Sequence, residues 1–214
     1  MILPDKSLER KLLVSGYNQV IAVDEVGMGC LAGPVVVCAA LLPLWIFKKN
    51  DPLFHLGVRD SKQLSAAQRE RIALALGADP RLKFQIGYAH PKTIDRLNIY
   101  QATRLAMKRA VSSLVSSRSQ KVMVLVDGNK TIAGINLPQQ AIIKGDQKVF
   151  SIAAASIIAK VYRDKLMRNY AKRYPAYGFD QHKGYGTKLH LAQLAALGPS
   201  VIHRKSFAPV SNLR

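Results

Sequence analysis

The sequence is poor in acid. Only 13 of its 214 residues are Asp or Glu, against 32 Lys and Arg, which leaves a formal charge of +19. A surface of that sign attracts polyanions at long range, and nucleic acid is the partner it suits best. The excess runs along the whole chain instead of sitting in one tail, which speaks against a merely solvated charge run. Cysteine is scarcer still. Cys30 and Cys38 stand alone, neither at a zinc-like spacing from another Cys or a His, so both are expected as buried thiols of a reducing compartment. The histidines, His55, His90, His182, His190 and His203, lack the spacing of a zinc protease, and there is no Walker A motif. No internal repeat, low-complexity tract or Pro/Ser-rich linker divides the chain. The opening MILPDKSLERKLL has no apolar core of the secretory type, so cytoplasm is the expected location. A membrane helix is not expected either. Residues 30–47 are apolar apart from Gly33, Pro34 and Pro43, but the prolines bracket a β-branched run that suits a buried strand.

What is present is ordinary for a folded protein: 49% hydrophobic and 21% charged residues, in a length that suits one domain with a substantial core. Residues 8–13 fit a short amphipathic helix. QVIAVD then reads as a strand that runs into a turn, VVVCAALL as a strand buried on both faces, and LKFQIGY as a third strand with alternating polarity. Between the last two, SAAQ has the form of a capping box and opens a helix that runs to Leu76. Ile99, Ala102, Ala106, Ala110, Val111 and Leu114 recur at steps of three and four and predict a longer helix with one apolar face. KVMVLVDGN is a strand ending at Asp127, and QAIIKGDQ a shorter apolar run ending at Asp146. A long helix is predicted from Phe150 to just before Pro175, and a last one over residues 188–197, capped by Thr187 and followed by Gly198. The order favours an α/β layer structure: a mixed β-sheet with helices on its faces.

The few acids are placed oddly. Asp24 and Glu25, Asp127 and Asp146 each close an apolar run beside or near a glycine, where a carboxylate is partly desolvated and needs a partner. Neighbouring strand ends would gather all four, and gathered carboxylates repel unless cations lie between them. An oxygen-only set without competing Cys or His suits Mg²⁺ or Mn²⁺, and two such ions could activate water and stabilise the leaving oxygen of a phosphodiester. Singly, each acid could instead pair with Lys or Arg, or open a turn; their joint placement carries the inference. Gly27, Gly29 and Ala32 match a dinucleotide fingerprint, but Pro34 and three valines follow where that fingerprint needs a helix. Near the C-terminus HKGYGTKLH sets Lys183 and Tyr185 among glycines, as expected where a sugar-phosphate chain is approached closely.

These residues resemble the ribonuclease HII family, the type 2 ribonuclease H enzymes. AVDEVGMGCLAGPVVVCAA is similar to the family's Asp-Glu-x-Gly-x-Gly-x-x-x-Gly-Pro block, DSKQLS to its Asp-Ser-Lys block and LVDG to its third acidic site; KGDQKVFSIAAASIIAKVYRD, HKGYGT and HRKSF follow in family order. The resemblance implies a ribonuclease H-like fold with a C-terminal helical extension, in a single catalytic domain over 1–214. Its core would span about 17–174, a helical substrate-binding part 175–207 and a short tail 208–214. It implies an endoribonuclease that acts as a monomer, binding RNA/DNA hybrids and ribonucleotide-containing DNA duplexes, and cutting 5′ of a ribonucleotide to leave 3′-hydroxyl and 5′-phosphate ends. Asp24, Glu25, Asp127 and Asp146 would be its catalytic, metal-binding carboxylates. The backbone at Gly27 and Gly29 would read the 2′-hydroxyl, Tyr185 would stack on the sugar, and Lys62 and Lys183 would help grip the substrate. Met28 departs from the pattern, which usually has Arg there, as Cys30 does where Pro is common; a thioether binds no phosphate, so single embedded ribonucleotides are expected to be handled less well than long hybrids. A silent hybrid-binding protein, and another nuclease on the same fold such as a junction resolvase, are the competing readings.

Overall fold

Two β-branched runs make the centre of the sheet. β1 (Gln19–Val26) and β2 (Val35–Pro43) pair antiparallel, from Gln19 opposite Pro43 to Val26 opposite Val36. β3 (Lys83–Ala89) adds antiparallel to β2, whereas β4 (Val122–Asp127) joins the other side of β1 in parallel and β5 (Gln139–Ile142) extends β4 in parallel. The order is β3-β2-β1-β4-β5, a mixed five-stranded sheet flanked by helices, as the residue pattern predicts. The computed structural model describes residues 3–48, 50–115 and 121–213; the expected domain span 1–214 also takes in 1, 2, 49, 116–120 and 214, which lie outside the described residues.

The period of two along β1 divides the core. Val20 and Ala22 point to one face, where Cys38 and Ala40 meet Ala153, Ala154 and Ile157. Ile21 and Val23 point to the other, with Val37 and Ala39, against Ala106 and Ala110. The helices follow in chain order: α1 (Ser7–Val14), α2 (Ala66–Ala78), α3 (Pro91–Leu97), α4 (Ile99–Ser112), α5 (Gly145–Lys148), α6 (Phe150–Arg173), α7 (Phe179–His182) and α8 (Lys188–Leu197). α6 covers the first face and α4 the second. The SAAQ capping box forms as predicted, with Gln68 N donating to Ser65 Oγ at 3.2 Å and Ser65 N to Gln68 Oε1 at 2.9 Å. α4 lies so close to β3 that a Cβ on Gly87 would sit 2.3 Å from the Ala106 carbonyl oxygen.

Both cysteines are free and buried. Among the described residues no helix is long and apolar enough to cross a membrane. One expectation needs correction. Asp146 does not end a strand: β5 stops at Ile142, Lys144 takes a left-handed turn (φ 57°), and Asp146 falls in the first turn of α5. The turn is held by Gly145 N, which donates to Asp127 Oδ1 at 2.6 Å. The short α3, α5 and α7 were not expected, because four to seven residues are too few to show a helical period.

Candidate active site

The parallel register of β1 and β4 sets Val23 opposite Val126, so the next residue on each strand, Asp24 and Asp127, leaves the sheet at the same edge. α5 returns Asp146 to that edge, and all four predicted carboxylates line one pocket of about 120 Å³. Lys62 and Tyr185 line it too. Lys183 does not: it takes a left-handed turn (φ 52°), and its ammonium donates to the Asp180 carbonyl. Met28 packs its side chain toward Val35, Ala89, Ile94 and Ala102 and borders a second groove of about 370 Å³. That groove leads away from Glu25 and Asp127 past Asn98, Tyr100, Arg104 and Lys130.

The carboxylates hold one another in a strained electrostatic balance. Burial first, then the charges of Glu25 and Asp127, push Asp24 well above the usual carboxylate range. Burial and then Asp127 lift Glu25 to about 7, and the same two causes raise Asp146. Lys62, a cation on the pocket wall, has its Nζ 3.9 Å from Asp146 Oδ2 and is largely exposed. Glu25 Oε2 is buried with no hydrogen-bond partner. An orphaned oxygen within a hard, oxygen-only donor set fits Mg²⁺ or Mn²⁺ chemically. Among the described residues no three acidic, His or Cys side chains already have the geometry to hold an ion. Asp24 Oδ1 instead accepts from Glu25 N at 2.8 Å and Asp127 Oδ1 from Gly145 N, so these oxygens are spent on backbone amides.

Three polar side chains of the pocket escaped the reading of the sequence: Ser61, Ser156 and Lys160. Ser61 follows Asp60, whose Oδ1 accepts from Lys62 N at 2.9 Å and fixes the turn that carries both Ser61 and Lys62. Ser61 Oγ and Ser156 Oγ are 3.0 Å apart, and Ser156 hydrogen-bonds Asp24. Lys160 Nζ donates to Asp164 Oδ1 at 2.8 Å and lies 5.6 Å from the Tyr185 ring centre. The spacing 156, 160, 164 marks one stripe of α6 and was a usable signal: polar residues at steps of four on the helix that covers the sheet. Tyr185 itself is 38% exposed, with its hydroxyl turned in beside Cys30, and burial there raises the hydroxyl to about 12.

Residues 21–210 match the family model described as Ribonuclease HII. The chain belongs to the ribonuclease HII family. It is 47% identical over 98% of its length, and 92% of the relative's, to a ribonuclease HII of Chlamydia trachomatis serovar L2. The ribonuclease H2 of Pyrococcus horikoshii OT3 superposes with a TM-score of 0.72 at 25% identity, covering 91% of this chain and 96% of that one. Bst-RNase HIII, solved with Mn²⁺, shares the fold at a TM-score of 0.66 and 20% identity, over 92% of this chain and 70% of that one. As a ribonuclease HII family member the chain is a hydrolase of the ribonuclease H class, and the helices α7 and α8 form the C-terminal part of a ribonuclease H-like fold.

Proposed function

We propose that the chain hydrolyses the RNA strand of RNA/DNA hybrids and cuts 5′ of ribonucleotides embedded in duplex DNA, leaving 3′-hydroxyl and 5′-phosphate ends. The observation that supports this most is the pocket in which four mutually repelling carboxylates, one with an orphaned oxygen, open onto the surface of a strongly basic chain. Asp24, Glu25, Asp127 and Asp146 would hold two divalent cations, Mg²⁺ or Mn²⁺, the latter being the ion in Bst-RNase HIII. When bound, such ions supply an activated water and stabilise a leaving alkoxide.

The side chains around the acids orient the strand. Lys62, exposed beside Asp146, attracts the phosphate next to the acids. Tyr185 stacks its ring on the sugar beyond it, with Lys160 Nζ 5.6 Å from the ring centre. Gly29 is open to solvent with nothing within 4 Å of its notional Cβ, so a ribose can approach its backbone. Lys183 adds positive potential from the neighbouring turn. The enzyme would act as a cytoplasmic monomer. The test is cleavage of three end-labelled duplexes, hybrid, single-ribonucleotide and all-DNA, with Mg²⁺ and with Mn²⁺. Cuts in the first two alone, at the 5′ side of ribonucleotides, are the expected outcome; cutting of all-DNA, or of none, would overturn it.

A further inference from the structure

Two arginines carry charge in the interior with no carboxylate against them. Arg163 on α6 and Arg204 after α8 are both fully buried, and neither forms an ion pair among the described residues. Their partners are main-chain carbonyls. Arg163 donates from Nε to Pro34 O at 3.0 Å, from Nη2 to Ala32 O at 3.1 Å and from Nη1 to Lys183 O at 2.8 Å. Arg204 donates from Nε to Gly33 O at 3.0 Å, from Nη1 to Met28 O at 2.7 Å and from Nη2 to Gly27 O at 2.6 Å. Six hydrogen bonds to neutral carbonyls offset part of the desolvation cost but leave both charges uncancelled, so the site keeps a positive potential. Burial lowers Arg204 to about 10, which leaves it cationic at neutral pH.

The six carbonyls come from two turns that meet at the active site. Five belong to residues 27–34 and one to Lys183, and the turns also touch directly through Leu31 N, which donates to Gly184 O at 2.8 Å. Contact is close enough to exclude side chains: a Cβ on Gly27 would lie 2.2 Å from Arg163 Nε, and one on Gly184 would lie 2.4 Å from Ala32 O. In a trans peptide the N–H points opposite to its C=O. Drawing the Gly27 and Met28 carbonyls inward therefore turns the Met28 and Gly29 amides outward, and neither amide has a protein acceptor among the described residues. Arg163 also lies 5.7 Å from the Tyr185 ring centre.

We propose that Arg163 and Arg204 form a buried cationic clamp, positioning residues that lock the Gly27–Pro34 turn to the Lys183–Tyr185 turn and aim the Met28 and Gly29 amides at the substrate's sugar-phosphate chain. The clamp supplies from beneath the positive potential that the neutral Met28 side chain does not supply from above. It deepens the ribonuclease reading given above and rests on it; cleavage of a hybrid by the unmodified chain is the control that reports on that reading alone.

The test compares Arg204→Lys and Arg163→Lys with the parent. Lysine keeps the charge but not the planar fork, so at least one carbonyl per site loses its donor. In protein that melts cooperatively, KM for the hybrid should rise about tenfold, the equivalent of one hydrogen bond, with kcat within about twofold because the carboxylates are untouched. A lowered melting temperature with unchanged KM in either variant would mean a structural role only and would overturn the clamp. Should neither variant fold, amide hydrogen exchange on the otherwise unmodified Asp127→Asn protein decides. The Met28 and Gly29 amides should exchange fast in the free protein and become protected on adding hybrid; no protection would overturn the proposal.

Discussion

Substituting His203 by Asn should flatten the acid side of the stability profile. Three buried histidines, His182, His190 and His203, pack around Phe179 in the C-terminal part. Their hydrogen bonds define every proton. His190 Nδ1 lies 2.9 Å from the Tyr185 carbonyl and must donate, so its Nε2 accepts from His203 Nε2 at 3.0 Å, and His203 Nδ1 is left to accept from Ser200 N at 2.9 Å. His182 accepts at Nδ1 from Gly184 N at 3.1 Å and donates from Nε2 to the Tyr177 carbonyl at 2.7 Å. The set is satisfied only when neutral, since a further proton on His190 or His203 sets donor against donor. Burial, then His190, lowers His203 to about 4. The unfolded chain takes up this proton below about 6.5 and the folded chain does not until about 4. The contribution is therefore complete above pH 6.5 and is lost progressively down to pH 4, about 3 kcal/mol in all and about 2 kcal/mol between pH 7 and pH 5. Glu9, Asp24, Glu25 and Asp146, whose carboxyls are raised, run the opposite way and cancel when parent and variant are compared. Asn keeps an acceptor for Ser200 N and does not titrate. Urea denaturation at pH 7 and 5 should show the parent losing about 2 kcal/mol more than His203→Asn; equal losses would refute the protonation scheme.

Gly87→Ala should destabilise by about 2 to 3 kcal/mol, because the new methyl meets the backbone of α4 and not a flexible side chain; chemical denaturation measures it. Gly29→Ala, with open space around it, should leave the melting temperature within about 2 °C while lowering kcat/KM on hybrid, a contrast that separates folding from approach of the substrate. Met28→Arg should raise kcat/KM on a single-ribonucleotide duplex by about tenfold or more and change the hybrid value little, as one charge-assisted phosphate contact is worth; equal gains on both substrates would remove Met28 as the cause.

Much of the site was legible because strand chemistry is local. A β-branched run that meets charge just before a glycine marks Asp24 and Glu25, and the same pattern marks Asp127; parallel pairing of β1 and β4 then does the rest. Asp146 lines the pocket from α5 and not from a strand end, because the apolar run of QAII hides the left-handed turn at Lys144 that closes β5. Ser156 and Lys160 are marked in the sequence only by their steps of four with Asp164, a faint stripe because the residues around Ser156 in the N-terminal half of α6 are apolar and buried nearly all round. Arg163 and Arg204 read as two more members of a basic excess. Only the fold reveals that they face inward, since burial of a charge by carbonyls leaves no mark on composition.

The claim that four carboxylates at one sheet edge perform the hydrolysis is tested most directly by Asp127→Asn. Cleavage of a labelled RNA/DNA hybrid should fall by at least about a thousandfold, the scale of losing several kcal/mol of transition-state stabilisation. Affinity for the hybrid should stay within about threefold, since the basic surface is unchanged. Undiminished cleavage, or loss of binding in step with cleavage, would contradict the account.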